Sequence, residues 1–357
     1  MTLKQVVGEA HSRWMDGQGA EADIVISSRV RVARNLTGFP FPHLLSGDQA
    51  GKVVAAVKGA VEKPALRNRA GNLELIRMAE LTPVERQILV EKHLISPDLL
   101  EDFEKKAVVL NEDETISIMV NEEDHLRIQC LLPGLQLNEA WEAVDRLDDE
   151  LEATLDYAFD ERLGYLTACP TNVGTGMRAS VMLHLPALVM IRQIKNVVAT
   201  VNKLGLTVRG LYGEGTEASG NLFQVSNQVT LGLTEEDIIT NLLSVTRQLI
   251  EQERTAREAL RKESREQLED RVGRAYGLLK HSRLMSSEEA MRLLSDLRLG
   301  IDLGFIKNIP PNLVNELIVL IRPAFLIKSL GRDLTPFERD MYRTKVIRKK
   351  LSAAQQA

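Results

Sequence analysis

Residues 169–180 have the sequence CPTNVGTGMRAS, which places a cysteine, a proline, two closely spaced glycines and an arginine in one short segment. This mixture suits neither the core of a strand nor the core of a helix. From these residues alone three interpretations are open: a cradle for phosphate, the site of a thiol nucleophile, or a glycine-rich turn between two strands.

The composition limits the class of protein. The chain has 357 residues, of which 44% are hydrophobic and 27% charged, as expected for a soluble globular protein with room for two domains. Its net charge of −5 gives no general attraction to nucleic acid or to an anionic membrane. Cys130 and Cys169 have no CxxC spacing, which argues against a disulfide framework and a structural zinc site. With no apolar signal or membrane span, a cytoplasmic protein is expected.

Short β-rich segments alternate with helical segments up to about residue 250. Residues 115–132 are typical of a hairpin with Asn-Glu-Glu-Asp at its tip, and strands joined so closely must be antiparallel. The pattern predicts an α+β fold: an antiparallel sheet flanked by helices, followed by an all-α C-terminal domain. The expected divisions are a leader segment at 1–20, a catalytic domain at 21–254 and a helical domain at 255–357.

Helix starts are signalled by capping residues. Thr82 and Thr335 each precede a proline and stand three residues before a glutamate, and Thr234 and Ser286 also begin helical segments. Strand signals are lacking after the helix start at Thr234. The many charges there fit a solvated helix face as well as a binding surface.

Arginines are the most informative side chains of the first region. Arg29 and Arg31 fall on one face of a strand because side chains alternate with period two. Arg127 follows the hairpin tip, Arg178 ends the opening segment and Arg209 precedes a glycine-bounded loop. Converging guanidinium groups would match the oxygens of a polyphosphate, although any one of these arginines also suits a solvated sheet.

Carboxylates supply a second candidate group. Glu122, Glu123 and Asp124 crowd like charges at the hairpin tip, and Glu214 lies in the glycine-bounded loop. If the tip faces a cleft, this crowding would raise pKa values and favour a general base; otherwise it is a solvated turn. Cys169 lacks the His and Asn context of a thiol hydrolase, so an inert cysteine is the alternative.

Four segments taken together resemble a known family. SSRVR, VNEEDHLRI, CPTNVGTGMR and RGLYGE occur in this order and are similar to the catalytic segments of phosphagen (guanidino) kinases, over about residues 23–243. SSRVR begins at residue 27, which leaves no room for the small N-terminal domain of that family, and an additional helical domain follows. Both departures resemble the bacterial protein-arginine kinases, which phosphorylate arginine side chains of proteins and mark them for an ATP-dependent protease.

The resemblance implies a set of site residues. Its catalytic residues correspond to Glu122, Glu123, Glu214 and Cys169. The glycines of residues 169–180 are expected to let the backbone approach the nucleotide. Mg²⁺ would come with the ATP phosphates, with no metal ligand from the protein. The implied ATP-binding residues are Ser27, Ser28, Arg29, Val30, Arg31, His93, Arg127, Arg178, Ala179, Ser180, Val181, Met182, Arg209, Gly210, Leu211, Tyr212 and Gly213.

The C-terminal helices carry a further implied site. The protein-arginine kinases have an RDxxRA motif that forms an allosteric phosphoarginine pocket, and here Arg339, Asp340, Arg343 and Thr344 occupy it, with threonine in place of alanine. A charged helix face is the other interpretation. The resemblance also implies a homodimer, a role in stress response, Clp-type protease or chaperone partners and a possible activator protein.

Two other functions are considered. A kinase for a free guanidino metabolite would use the same catalytic segments, and a non-catalytic adaptor would bind phosphoarginine through the helical domain. A nucleic-acid regulator is disfavoured, since basic excess and aromatic content are both low.

Overall fold

The chain builds one large antiparallel sheet with helices on both of its faces. The computed structural model describes residues 3–210 and 218–355. The strands are β1 (Val25–Arg34), β2 (Leu73–Arg77), β3 (Ala107–Asn111), β4 (Ile116–Val120), β5 (Leu126–Pro133), β6 (Phe159–Asp160), β7 (Gly164–Tyr165), β8 (Met177–His184), β9 (Leu206–Gly210) and β10 (Leu222–Asn227). The helices are α1 (Leu3–Gly8), α2 (Gly47–Val61), α3 (Pro64–Ala70), α4 (Pro83–Glu91), α5 (Leu137–Glu152), α6 (Pro186–Met190), α7 (Ile194–Lys203), α8 (Glu235–Glu263), α9 (Arg265–His281), α10 (Ser287–Asp302), α11 (Pro311–Leu320), α12 (Pro323–Leu330) and α13 (Pro336–Ala354).

The sheet has the strand order β2-β3-β4-β5-β1-β8-β10-β9, and each neighbouring pair is antiparallel. The predicted hairpin is β4 and β5, with Ile116 opposite Cys130. A separate small hairpin consists of β6 and β7. The predicted α+β class, with an antiparallel sheet followed by helices, is confirmed.

The helix starts follow the capping residues. The hydroxyls of Thr82, Thr234 and Thr335 accept hydrogen bonds from the backbone N–H three residues on, and each forms a complete capping box. Ser286 caps α10 in the same way, without the reciprocal bond. These local bonds satisfy N–H groups that a helix start otherwise leaves unpaired.

One face of the sheet is an apolar core. Val30 and Val32 of β1 point into it together with Ile128 of β5 and Ala179 of β8, and helices including α2, α5 and α8 cover them. Because side chains alternate along a strand, the residues between these point to the opposite face. The alternation therefore fixes which residues can form a polar site.

The opposite face is covered in part by the C-terminal helices. Met119 and Met182 of the sheet share a second core with Leu297 of α10 and Leu317 of α11, and Trp14 from the N-terminal segment joins them. α8 runs through residue 254 and ends at Glu263, and α9 follows after a break at Ser264. The divisions at residues 20 and 254 stay predictions.

A buried carboxylate links α4 to α12. Glu91 accepts hydrogen bonds from the backbone N–H of Ala324 at 3.0 Å and of Phe325 at 3.3 Å, so it caps the start of α12. Burial raises the pKa of Glu91 to about 7, against these bonds and the charge of Arg322, which lower it. The end of α4 and the start of α12 are thus held together.

None of the helices in residues 3–210 and 218–355 combines the length and apolar character needed to span a bilayer.

Candidate active site

The strand register gathers the predicted arginines on one face of the sheet. Arg31 lies opposite Arg178 of β8 and opposite Gln129 of β5. Arg127 lies two positions along β5 from Gln129, and Arg29 lies two positions along β1 from Arg31, so the same alternation places all of them on this face. Strands from distant parts of the sequence therefore deliver cationic side chains to one place.

A cleft of about 160 Å³ opens on this face. Five of the predicted site residues line it together with Asn172 and Gly176: Arg31, Glu123, Arg127, Cys169 and Arg178. A narrower groove is lined by the predicted nucleotide residues Ser27, Arg29, His93, Ser180 and Met182, together with Gln224. Both are built on β1 and β8, so they form neighbouring parts of one surface.

Two guanidinium groups of the cleft have a donor without a protein acceptor. Nε of Arg31 and Nε of Arg178 are buried, and neither has a hydrogen-bond acceptor among the described residues. Burial lowers the pKa of Arg31 well below its usual value, and the charges of Arg29, Arg127 and Arg178 lower it further. Such a concentration of cations with free donors suits a polyphosphate, whose oxygens accept hydrogen bonds and neutralise the charge.

Glu122 and Glu123 have different surroundings although they are adjacent. Glu122 is buried, accepts two hydrogen bonds of 2.7 Å from Nη1 of Arg127 and a third from Ser96. Burial alone would raise the pKa of Glu122, but these partners outweigh it and the pKa lies below its usual value. Glu122 therefore holds Arg127 in place.

Glu123 lines the cleft itself. Burial raises the pKa of Glu123, and the neighbouring charge of Asp124 raises it further. Nδ2 of Asn172 donates a hydrogen bond of 3.4 Å to it. A carboxylate with a raised pKa, open to the cleft, is suited to accept a proton.

The segment that contains Cys169 is fastened at its start. Before it, the Ala168 N–H donates to Oδ1 of Asp124 at 2.7 Å, and Asn35 donates to the same oxygen at 2.6 Å. Sγ of Cys169 lies 3.0 Å from Oγ1 of Thr171. Asp124, at the hairpin tip, thus positions the cysteine rather than lining the cleft.

The glycines of this segment have a structural reason in addition to the expected approach of the backbone to the nucleotide, which stays a prediction. At Gly176 a Cβ would lie 2.6 Å from the carbonyl oxygen of Ala33, and at Gly174 one would lie 2.6 Å from that of Thr230. Both glycines also have positive φ, which other residues rarely adopt. They let the loop pack against neighbouring protein backbone. Of the three initial interpretations, the segment is a tight turn that also lines the cleft.

His93 lies in the groove beside a tryptophan. The Trp14 ring makes an edge contact with it at 5.5 Å between ring centroids. Nε2 of Gln129 donates to the carbonyl oxygen of His93 at 3.0 Å. Burial lowers the pKa of His93 to about 3, and the charges of Arg29 and Arg322 add to this, so its imidazole is neutral near pH 7.

Sequence reasoning missed three polar or aromatic partners. Nη2 of Arg29 donates to Oε1 of Gln224 at 3.1 Å, and Gln129 and Trp14 support His93. The signal for Gln129 was present, since it stands two residues after Arg127 and faces the same way. Nothing in the local sequence of Trp14 pointed to His93.

Several implied nucleotide residues face away from the cleft. The side chains of Val30, Ala179 and Val181 lie in the apolar core, and Ser28 donates to the carbonyl oxygen of Gly134 at 2.8 Å. Only their backbone can reach a ligand on the arginine face. Contacts between the backbone of these four residues and the nucleotide stay a prediction.

The last predicted catalytic segment begins on β9. Arg209 is exposed opposite Gln224 of β10, and its charge contributes to the lowered pKa of Arg178 after burial. Gly210 ends the strand. Leu211, Tyr212, Gly213 and Glu214 lie outside the described residues.

The RDMYRT segment lies on α13. Arg343 is buried and donates to the carbonyl oxygens of Ile321 at 3.1 Å and Met285 at 2.8 Å, and Asp340 accepts from it at 2.5 Å. Thr344 donates to the carbonyl oxygen of Arg283 at 3.1 Å. Arg339 is half-buried and donates to the carbonyl oxygen of Leu334. These contacts join α13 to the segments that connect α9 to α10 and α11 to α12. A ligand role for these residues stays a prediction.

A cavity of about 520 Å³ lies beside this segment. Exposed Leu284, Phe337 and Met341 give it apolar walls, and Arg332 and Arg348 also line it. Across the described chain, no group of three or more His, Cys, Asp or Glu side chains is arranged to hold a metal ion.

Comparisons with known proteins identify the family to which this fold belongs. A family model described as the C-terminal catalytic domain of ATP:guanido phosphotransferases matches residues 52–256, and one described as the C-terminal domain of the protein-arginine kinase McsB matches residues 265–357. A duplicated taurocyamine kinase from Schistosoma mansoni, solved with transition-state analogue components, is 27% identical with a TM-score of 0.59, over 71% of this chain and 36% of that one. Lombricine kinase shares the fold at 23% identity and a TM-score of 0.57, over 71% of this chain and 75% of that one.

Full-length relatives narrow the class. The protein-arginine kinase of Desulforamulus reducens is 64% identical and that of Pelotomaculum thermopropionicum 62%, each over 99% of this chain and 99% of the relative. The chain therefore belongs to the ATP:guanido phosphotransferase family, and within it to the protein-arginine kinases.

Proposed function

We infer that the protein is an ATP-dependent kinase that phosphorylates arginine side chains of other proteins. Family membership supports the activity and ATP as the phosphoryl donor. The observation that carries the assignment of the site is the cleft in which Arg31, Arg127 and Arg178 face Glu123 and Cys169. The cleft thus combines cationic groups for the phosphates of ATP with acid–base groups for the guanidinium that accepts the phosphoryl group.

The arginines bind the donor. Arg29, Arg31, Arg127, Arg178 and Arg209 hold the phosphates of ATP and stabilise the charge of a loose transition state, which is the main demand of phosphoryl transfer. Mg²⁺, carried by the ATP phosphates, would supply further charge neutralisation. His93 and Gln224 line the adjoining groove, where the rest of the nucleotide lies.

The acceptor needs help to become a nucleophile. A guanidinium has a pKa above about 12 and no free lone pair, so it must lose a proton as the new bond forms. Glu123 takes this proton, and Glu214 is the second carboxylate that holds the guanidinium in plane. Cys169 contacts the acceptor from the wall of the cleft, and Glu122 fixes Arg127.

The reaction is an in-line displacement. A guanidinium nitrogen of the substrate attacks the γ-phosphorus, the bond from that phosphorus to the bridging oxygen breaks, and ADP leaves with the electron pair. The proton of the attacking nitrogen passes to Glu123. Alignment of the two substrates supplies much of the rate because it removes their freedom of motion beforehand.

The wider role is part of the same proposal. The phosphorylated proteins are marked for a Clp-type protease or chaperone in the cytoplasm under stress, and an activator protein can take part. The C-terminal helices bind phosphoarginine beside Arg339, Asp340, Arg343 and Thr344 and mediate a homodimer. The family resemblance supports these points, and the basic, apolar-walled cavity at α13 fits a ligand.

A transfer assay tests the function. Labelled ATP and Mg²⁺ are offered with an arginine-rich protein and, separately, with free arginine, followed by acid treatment, which removes phosphorus–nitrogen bonds but leaves phosphoserine. Acid-labile label on protein alone supports the proposal. Label on free arginine alone would assign the chain to the metabolite kinases, and failure to label either acceptor in the presence of the activator would favour the adaptor.

A further inference from the structure

Two segments beside the active-site cleft carry exposed apolar side chains. Phe159 and Leu163 lie on the β6–β7 hairpin, with 56% and 47% of their surface exposed. Val229, Leu231 and Leu233 lie between β10 and α8 and are 42–50% exposed. We call these five side chains the rim patch. Large apolar side chains in water next to a site are typical of an interaction surface.

Hydrogen bonds hold both segments against the loop of the cleft. The Tyr165 N–H donates to the carbonyl oxygen of Gly174 at 2.8 Å, which joins the hairpin to that loop. On the other side, Oγ1 of Thr230 donates to the carbonyl oxygens of Val173 at 2.6 Å and Thr171 at 3.0 Å. The rim patch therefore flanks the loop whose Cys169, Thr171 and Asn172 line the cleft.

The β6–β7 hairpin is also anchored to the main sheet through Tyr165. The guanidinium of Arg34 lies 3.4 Å from the centre of the Tyr165 ring, and this arginine forms a buried ion pair with Asp148. Phe159 makes an edge contact with Tyr165 at 5.2 Å between centroids. The contacts of Tyr165 hold the hairpin without a contribution from the exposed side chain of Leu163. Leu163 is therefore available to a partner.

We propose that the rim patch binds apolar side chains that flank the acceptor arginine in the protein substrate. The inference rests on the proposed function, because it concerns the acceptor side of the same site. An acceptor arginine is attached to a polypeptide, and its neighbours, at about 3.3 Å per residue, must pass over the rim of the cleft when the guanidinium enters. The exposed side chains they meet there include apolar ones on both sides of the loop, beside the charged Glu161 and Arg162 of the hairpin turn. Segments with leucine, valine or isoleucine beside the arginine are therefore preferred.

Peptide selectivity tests this proposal. Two peptides of equal length and charge carry one arginine each, flanked by leucine and valine in one and by serine and asparagine in the other. The wild-type protein is expected to phosphorylate the apolar peptide with at least tenfold higher kcat/KM, equivalent to about 1.4 kcal/mol. In the double variant Leu163→Ser/Leu231→Ser this ratio should fall to below threefold, through a higher KM for the apolar peptide.

Controls separate the possible causes. Leu204→Ser removes a comparably exposed leucine from the end of α7, outside the rim patch, and should keep the tenfold ratio. The thermal midpoint and the KM for ATP, measured for each variant, report on folding and on the donor site. A wild-type ratio near one, or a double variant that keeps the ratio, would overturn the proposal.

Two further outcomes are distinguishable. A double variant that sediments as a smaller species yet keeps the peptide preference would assign the rim patch to contact between copies of the chain and overturn the inference. If the wild type labels neither peptide nor any protein, the proposed function itself fails, whereas labelling without selectivity refutes only the inference about the rim patch.

Discussion

Replacement of Arg31 by methionine is expected to stabilise the protein without nucleotide and to weaken its binding of ATP. Nε of Arg31 is buried without an acceptor among the described residues, and burial together with three neighbouring arginines lowers its pKa. A buried polar group without a partner costs about 1–3 kcal/mol. Methionine keeps most of the side-chain volume and removes both the unpaired donor and the charge, so a gain of that size is expected.

ATP should reverse the order of stability. At a concentration 100 times its Kd, a ligand stabilises the folded state by about 2.7 kcal/mol. The wild type gains this amount, whereas Arg31→Met gains little because one of the phosphate ligands is lost. The variant should therefore unfold at a higher temperature than the wild type without nucleotide, and at an equal or lower temperature with Mg-ATP.

Thermal unfolding followed by circular dichroism, with and without Mg-ATP, measures both effects. Arg77→Met is the matched control, since Arg77 is an exposed strand arginine at the edge of the same sheet. It should change neither the midpoint nor the shift with nucleotide. The reasoning is refuted if Arg31→Met unfolds earlier than the wild type without nucleotide, or if it keeps the full shift with ATP.

Three other changes test the site and its supports. Glu123→Gln should lower kcat at least 100-fold while the Kd for ATP changes less than threefold. A kcat near the wild-type value would show that Glu123 does not take the proton. The same comparison applies to Glu214→Gln. Asp148→Asn removes the charge that pairs with the buried Arg34 at 2.6 Å. It should lower the free energy of unfolding, measured in urea, by about 3–5 kcal/mol. Asp149→Asn, at an exposed position, is the control and should change it little. The pKa of Glu91 is raised to about 7, so between pH 4.5 and 7 the unfolded chain loses this proton before the folded protein does, and the contribution of Glu91 to stability falls as the pH rises. The free energy of unfolding of Glu91→Gln relative to that of the wild type should therefore be higher at pH 8 than at pH 5, by up to about 3 kcal/mol. If the two proteins give parallel curves of unfolding free energy against pH, this prediction is wrong. His93 and His125, whose pKa values are lowered, titrate alike in both proteins and do not affect the difference.

Local pattern was sufficient for much of the fold and for the arginines of the site. Period-two alternation identified the face shared by Arg29 and Arg31, and the capping residues Thr82, Thr234 and Thr335 marked helix starts that the structure confirms. These features depend on residues a few positions apart. A short window of sequence is therefore sufficient to predict them.

The remainder depends on residues that are distant in the chain. Glu91 and the Ala324 N–H it accepts from are 233 residues apart, and Gln224 is 195 residues from Arg29. The division of roles between Glu122 and Glu123 follows from Ser96 and Arg127, which reach only the first of them. No local pattern distinguishes two adjacent glutamates at a turn, because the packing of other segments decides which one is buried.

The second core affects the order of events during synthesis. Met119 and Met182 on the arginine face of the sheet share it with Leu297 and Leu317, which are translated long after both strands. At about 5–20 residues per second, the strands wait roughly 6–40 s for these helices. Until then the apolar part of this face stays in contact with water or with a chaperone on the ribosome. A nascent chain that stops after α8 therefore carries each arginine of the cleft and still lacks the support on which the groove around His93 depends.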